Sequence, residues 1–113
     1  MHRYQKVHKA LSDFNRVRIL HLLAVRPLCV CEITDILGFA TSTVSQHLSL
    51  LRDAGLVESS KDGKWVDYRL PDHPAPGIRT MLDLTLNSDL DEATIRQDRE
   101  RIKSVDRDAI CRT

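Results

Sequence analysis

Apolar positions recur every three to four residues along most of the chain, and the rhythm breaks at a few glycines and prolines. Val7, Ala10 and Leu11 share one face of a helix that begins near Tyr4. Ser12 and Asp13 interrupt it and can cap a second helix through Phe14, Val17, Leu20 and Ala24. Pro27 ends that helix, because the residue before a proline is pushed out of the α region. Val30, Ile33, Ile36 and Leu37 predict a short third helix that stops at Gly38. Phe39 and Ala40 then make a tight connection, and Thr41 or Ser42 opens a fourth helix with a buried stripe of Val44, Leu48 and Leu51 that closes at Gly55. Two short helices joined by a glycine-containing turn predict a helix-turn-helix over about residues 30–54.

Immediately afterwards the period changes from 3.6 to 2. Leu56-Val57-Glu58 leads into Lys61-Asp62-Gly63-Lys64, after which Val66, Tyr68 and Leu70 alternate with Asp67 and Arg69. Asp-Gly between two extended runs predicts a hairpin, since both residues tolerate positive φ. A hairpin directly after a helix-turn-helix predicts a wing, here about residues 56–70. Pro71, Pro74 and Pro76 form a stiff linker into a fifth helix carrying Ile78, Met81, Leu82 and Leu86. Ser88 can cap a last helix whose narrow seam of Ile95, Ile102 and Val105 needs a partner surface. The fold class expected is therefore mainly α with a small β-hairpin, a single winged helix-turn-helix domain of five to six helices over residues 1–113.

Composition narrows the function. At 113 residues the chain can bury one core, and no apolar run approaches a membrane span. The start of the chain has basic residues but no apolar stretch of a secretory signal, which predicts a cytoplasmic protein without a membrane partner. Net charge is only +1, yet six bases (Arg3, Lys6, Lys9, Arg16, Arg18, Arg26) face one acid, Asp13, in residues 1–31. That bias suits a phosphate backbone, and equally a solvated helix face. Three cysteines, two of them one residue apart, point to metal or redox chemistry rather than to a disulfide framework. The Cys-x-x-Cys or phosphate-cradling loop that a thiol enzyme would need is missing, so no enzyme activity is expected.

A helix-turn-helix leads into the major groove with the N-terminal residues of its second helix. Ser42, Thr43, Ser45, Gln46 and His47 are the candidate contacts to double-stranded operator DNA. The Gln46 amide can read adenine bidentately, and hydroxyls serve bases or phosphates. For Thr41 a capping role is the stronger expectation, and His47 could instead pack or hold a phosphate.

Ala10-Leu11-Ser12-Asp13 with Arg16-Val17-Arg18-Ile19-Leu20, and Thr43-Val44-Ser45-Gln46-His47-Leu48 followed by Leu51-Arg52-Asp53-Ala54-Gly55-Leu56-Val57, resemble the ArsR/SmtB family of metal-responsive bacterial repressors. The resemblance runs from about Val7 to Leu70; Phe14-Asn15 departs from the Pro-Thr often found there. It implies a homodimer with dimerisation helices at both ends of the chain, and a wing whose Lys61 and Lys64 approach DNA. It also implies an inducer. Leu28-Cys29-Val30-Cys31-Glu32-Ile33 resembles the metalloid-binding motif of arsenic-responsive members, making Cys29 and Cys31 candidate ligands of trivalent arsenic or antimony, with no cofactor otherwise required.

Soft thiolates suit such ions, and a helix N-terminus favours the thiolate, although two cysteines could also be plain core residues. Thr34 stands where those repressors often carry a third cysteine, which leaves Cys111 as the candidate third ligand or else a terminal bystander. Two residues apart on a helix, side chains diverge by about 200°, so one ion could hold both sulfurs only if the first turn is absent or distorted. The fifth helix lacks the histidines of zinc-sensing relatives, and the N-terminal segment lacks the extra cysteines of the cadmium type. A redox-responsive or a cadmium- or lead-responsive repressor on the same scaffold is the alternative.

Overall fold

The computed structural model describes residues 3–87, 92–106 and Ile110. Along the chain run α1 (Arg3–Leu11), α2 (Phe14–Val25), β1 (Leu28–Cys29), α3 (Val30–Leu37), α4 (Thr41–Asp53), β2 (Glu58–Asp62), β3 (Trp65–Arg69), α5 (Pro76–Leu86) and α6 (Glu92–Ile102). This is a winged helix-turn-helix with six helices among the described residues, as the hydrophobic pattern predicts.

The helix boundaries follow local chemistry. Asp13 caps α2, its carboxylate accepting the Asn15 N–H at 2.7 Å. Gly38 closes α3 in the left-handed region at φ +75°, where its N–H satisfies the Thr34 carbonyl at 2.8 Å. The expectation for α4 needs correction: the cap position belongs to Ala40, which offers no side-chain bond, and Thr41 is already helical.

The wing differs from the sequence reading in two details. Asp62 pairs with Trp65, so the hairpin turn is Gly63-Lys64 rather than Asp62-Gly63, and Gly63 supplies the positive φ of +61°. A third strand is present as well. β1 pairs antiparallel with β3, Leu28 opposite Tyr68 and Cys29 opposite Asp67, giving the sheet order β1-β3-β2. Two residues are too few to show a period of 2, so β1 has no signature in the sequence.

Ile19, Leu20, Leu22, Leu28, Ile33, Ile36, Val44, Leu48, Leu51 and Leu56 are fully buried and join both helices of the motif to α2 and the sheet. From α5, Ile78 and Leu82 enter this core, while Leu84 is 66% exposed. Much of the seam of α6 is buried within its own chain. Ile95 and Ile102 are buried, Asp98 binds Arg18 of α2 through two oxygens at 2.9 and 3.0 Å, and Arg101 donates to the Ile36 carbonyl of α3 at 2.9 Å. Ser88, the expected cap of this last helix, lies outside the described residues. Among the described residues no helix is long and apolar enough to cross a membrane.

Candidate nucleic-acid interface and thiol site

On α4 the division of labour follows the helical period. Val44, Leu48 and Leu51 are buried, whereas Ser42, Thr43, Ser45 and Gln46 are exposed together on the outer face. Because Ala40 holds the cap position, the hydroxyls of Thr41, Ser42 and Thr43 stand in the first turn of a helix whose exposed N–H groups make a ready anion contact. Ser45 and Gln46 line a shallow depression with Ser49 and Leu50. Lys61 and Lys64 are exposed on the wing, with the Lys64 ammonium 4.9 Å from the centre of the Trp65 ring.

His47 stands apart from the other candidates. It is half-buried, and its Nδ1 lies 3.2 Å from Arg16 Nη1. Burial holds its pKa below the ordinary value of 6.5; Arg16 adds to this and Asp13 opposes it. Sequence reasoning placed His47 correctly on α4 but missed Arg16, which is 31 residues away and has no local pattern to announce it.

The two thiols do not occupy equivalent places. Cys29, extended at φ −89° and ψ 169°, ends β1 and serves as the N-cap of α3. It is 4% exposed. Cys31 lies in the first turn of α3 and faces solvent.

Beside Cys29 sits a buried carboxylate that sequence reasoning overlooked. Glu32, 2% exposed, accepts the Cys29 N–H at 3.0 Å through Oε1 and the Arg26 guanidinium at 3.0 Å through Oε2. Burial alone would push this carboxyl upward, but hydrogen bonds from the Cys29 backbone, Arg26 and the Cys29 side chain, with the charge of Arg26, hold it below its ordinary value. The result is a capping box in which cysteine takes the place usually held by serine or threonine. The spacing of three residues from cap to glutamate was the available signal.

Thr34 donates its hydroxyl to the Cys31 carbonyl at 2.8 Å, so it steadies the same turn. Cys111 lies outside the described residues. Among the described residues no three His, Cys, Asp or Glu side chains gather as a metal site would need.

The profile of the bacterial regulatory protein ArsR family matches residues 13–59, the stretch from the cap of α2 into β2. The cadmium resistance transcriptional regulatory protein CadC homolog of Staphylococcus aureus is 46% identical over 68 residues, covering 59% of this chain and 56% of that protein. The chain thus spans little more than half the length of that relative. The arsenic resistance transcriptional regulator ArsR2 of Pseudomonas putida is 34% identical over 110 residues, 93% of this chain and 94% of that one. Among solved structures, the homodimeric winged helix-turn-helix DNA-binding domain of Mb0332 from Mycobacterium bovis superposes with a TM-score of 0.63 at 30% identity, covering 73% of each chain. The family and the fold are those of DNA-binding transcriptional regulators, not of enzymes. The chain belongs to the ArsR family of bacterial regulatory proteins.

Proposed function

We propose that the chain is a cytoplasmic, homodimeric repressor that releases its operator when trivalent arsenic or antimony binds the thiolates of Cys29 and Cys31. The observation that carries the reading is the position of the thiol pair at a junction. The Cys29 backbone pairs with β3 of the wing, and the helix that Cys31 opens packs on α4. A ligand that rearranges this junction acts on both parts of the molecule that would face DNA.

The geometry gives the coupling a physical form. Cys29 is buried and extended while Cys31 is exposed on the first helical turn, so an ion that gathers both sulfurs would disturb that turn. The bonds from Glu32 to Cys29 and Arg26 oppose this movement. DNA favours the closed turn and the metalloid favours the opened one, so each weakens the binding of the other by the same factor. Cys111 is the proposed third sulfur, since a threonine hydroxyl at position 34 is a poor ligand for a soft ion.

In the DNA complex Ser42, Thr43, Ser45 and Gln46 would face the major groove while Lys61 and Lys64 meet the backbone. A second copy would cover the apolar groove between α1 and α5. Tyr4, Val7, Ile78 and Met81 line that groove, and Tyr4 is 72% exposed. The 46% identity to a cadmium resistance regulator supports a second reading, in which cadmium or lead is the inducer. Competing arsenite, antimonite and cadmium against a protein–DNA complex separates the two. Release by arsenite at lower concentration than by cadmium is expected, and the reverse order assigns the site to cadmium.

A further inference from the structure

Arg16 lies in the first turn of α2 and is only 8% exposed. Its Nε donates to the Ala10 carbonyl at 2.7 Å and its Nη2 to the Lys9 carbonyl at 2.9 Å, which ties it to the last turn of α1. The remaining nitrogen, Nη1, reaches His47 Nδ1 on α4 at 3.2 Å, with the Asp13 carboxylate 3.9 Å away. One planar cation thus joins α1, α2 and α4. The Asp13 carboxylate and the Arg16 guanidinium are the charged groups that act on His47.

A guanidinium has donors and no acceptor, so Nδ1 of His47 must accept. A neutral imidazole that accepts at Nδ1 carries its proton on Nε2. The lowered pKa of His47, caused first by burial, agrees with a ring that stays neutral.

We infer that Arg16 is the positioning residue of the DNA-reading helix: through Nδ1 of His47 it fixes α4 against the frame of α1 and α2. His47 is then a joint between frame and reading helix and not itself a contact to bases. Arg16 is too buried to reach a phosphate, so it acts on DNA only through α4. The inference rests on α4 being the helix that reads DNA, and it is independent of the inducer.

The test uses the intact protein and a duplex that it selects from a random-sequence pool, with affinity measured well below the melting temperature of every variant. Asparagine can place an acceptor near Nδ1, whereas glutamine places its amide near Nε2. His47→Asn is expected to bind within about threefold of wild type, while His47→Gln and Arg16→Gln lose about tenfold, the scale of one hydrogen bond to a charged group. The Arg16→Gln/His47→Asn double variant is expected to bind no worse than Arg16→Gln alone. A nitrogen-15 spectrum of the free protein is expected to report His47 protonated on Nε2.

Equal affinities of the Asn and Gln variants overturn the inference, as does a folded Arg16→Gln protein with wild-type affinity. If Arg16→Gln does not fold, the two His47 variants and the spectrum decide. A wild type that enriches no duplex overturns the DNA-reading function together with this inference, an outcome distinct from variants that match an active wild type.

Discussion

The two helices of the motif begin in opposite ways. The first, α3, starts from a buried capping box in which Glu32 bonds the backbone of Cys29 and the guanidinium of Arg26. The second, α4, starts at Ala40 without any side-chain cap and exposes Thr41, Ser42 and Thr43. Polar groups at the start of α3 are consumed by the fold, whereas those at the start of α4 remain available to a partner. Under the proposed function the contrast would separate a hinge from a reading head: α3 would hold the chemistry disturbed by the inducer, and α4 the groups whose placement that disturbance changes.

The largest effect should come from breaking the α3 cap. Glu32→Ala takes the carboxylate acceptor from the buried Cys29 N–H and removes the cap, which should cost about 2–3 kcal/mol in a denaturant titration. Arg26→Ala strips the buried Glu32 carboxylate of its charged partner and should cost a comparable amount. On α4 the corresponding loss should appear in DNA binding and not in stability. Gln46→Ala should remove at least about 1 kcal/mol of discrimination at one base position, measured by comparing selected and singly altered duplexes, with an unchanged melting temperature.

Supplying the missing cap should sharpen the contrast from the other side. Ala40→Ser is expected to stabilise the protein by about 1 kcal/mol, because a serine hydroxyl can accept one of the orphan N–H groups of the first turn. The smallest effect is the dependence on pH. His21 and His47 both have folded pKa values below the ordinary 6.5, His21 first through burial and then through Arg99, His47 first through burial. The unfolded chain therefore takes up protons before the folded one does, and stability should decline as pH falls below about 6.5 and level off below the folded values. Replacing His47 with asparagine should flatten part of that decline in thermal melts run across this range.

Much of this was legible in the sequence wherever a signal is local and repeated. Val44, Leu48 and Leu51 mark the buried stripe of α4, and Gly38 and Gly55 mark the ends of α3 and α4, because period and positive φ are properties of neighbouring residues. β1 escaped because two residues carry no period, and the hairpin turn fell one residue late because Asp62 pairs with Trp65. The intrachain partners of α6, Arg18 and Ile36, were not legible because they lie 80 and 65 residues away from the side chains that bind them. At the site, the pair Cys29 and Cys31 was visible as a motif, but its division into one buried and one exposed thiol was not. That division depends on β3 pairing with Cys29, a contact formed only in the folded chain.

The account stands or falls on whether those two unlike thiols act together. The most direct measurement is an arsenite titration of the protein bound to its selected duplex, comparing wild type with Cys29→Ser and Cys31→Ser. Release from wild type, and no release from either variant at concentrations that free the wild type fully, is the predicted result. Release that survives both substitutions, or tight arsenite binding that leaves DNA affinity unchanged, would contradict it.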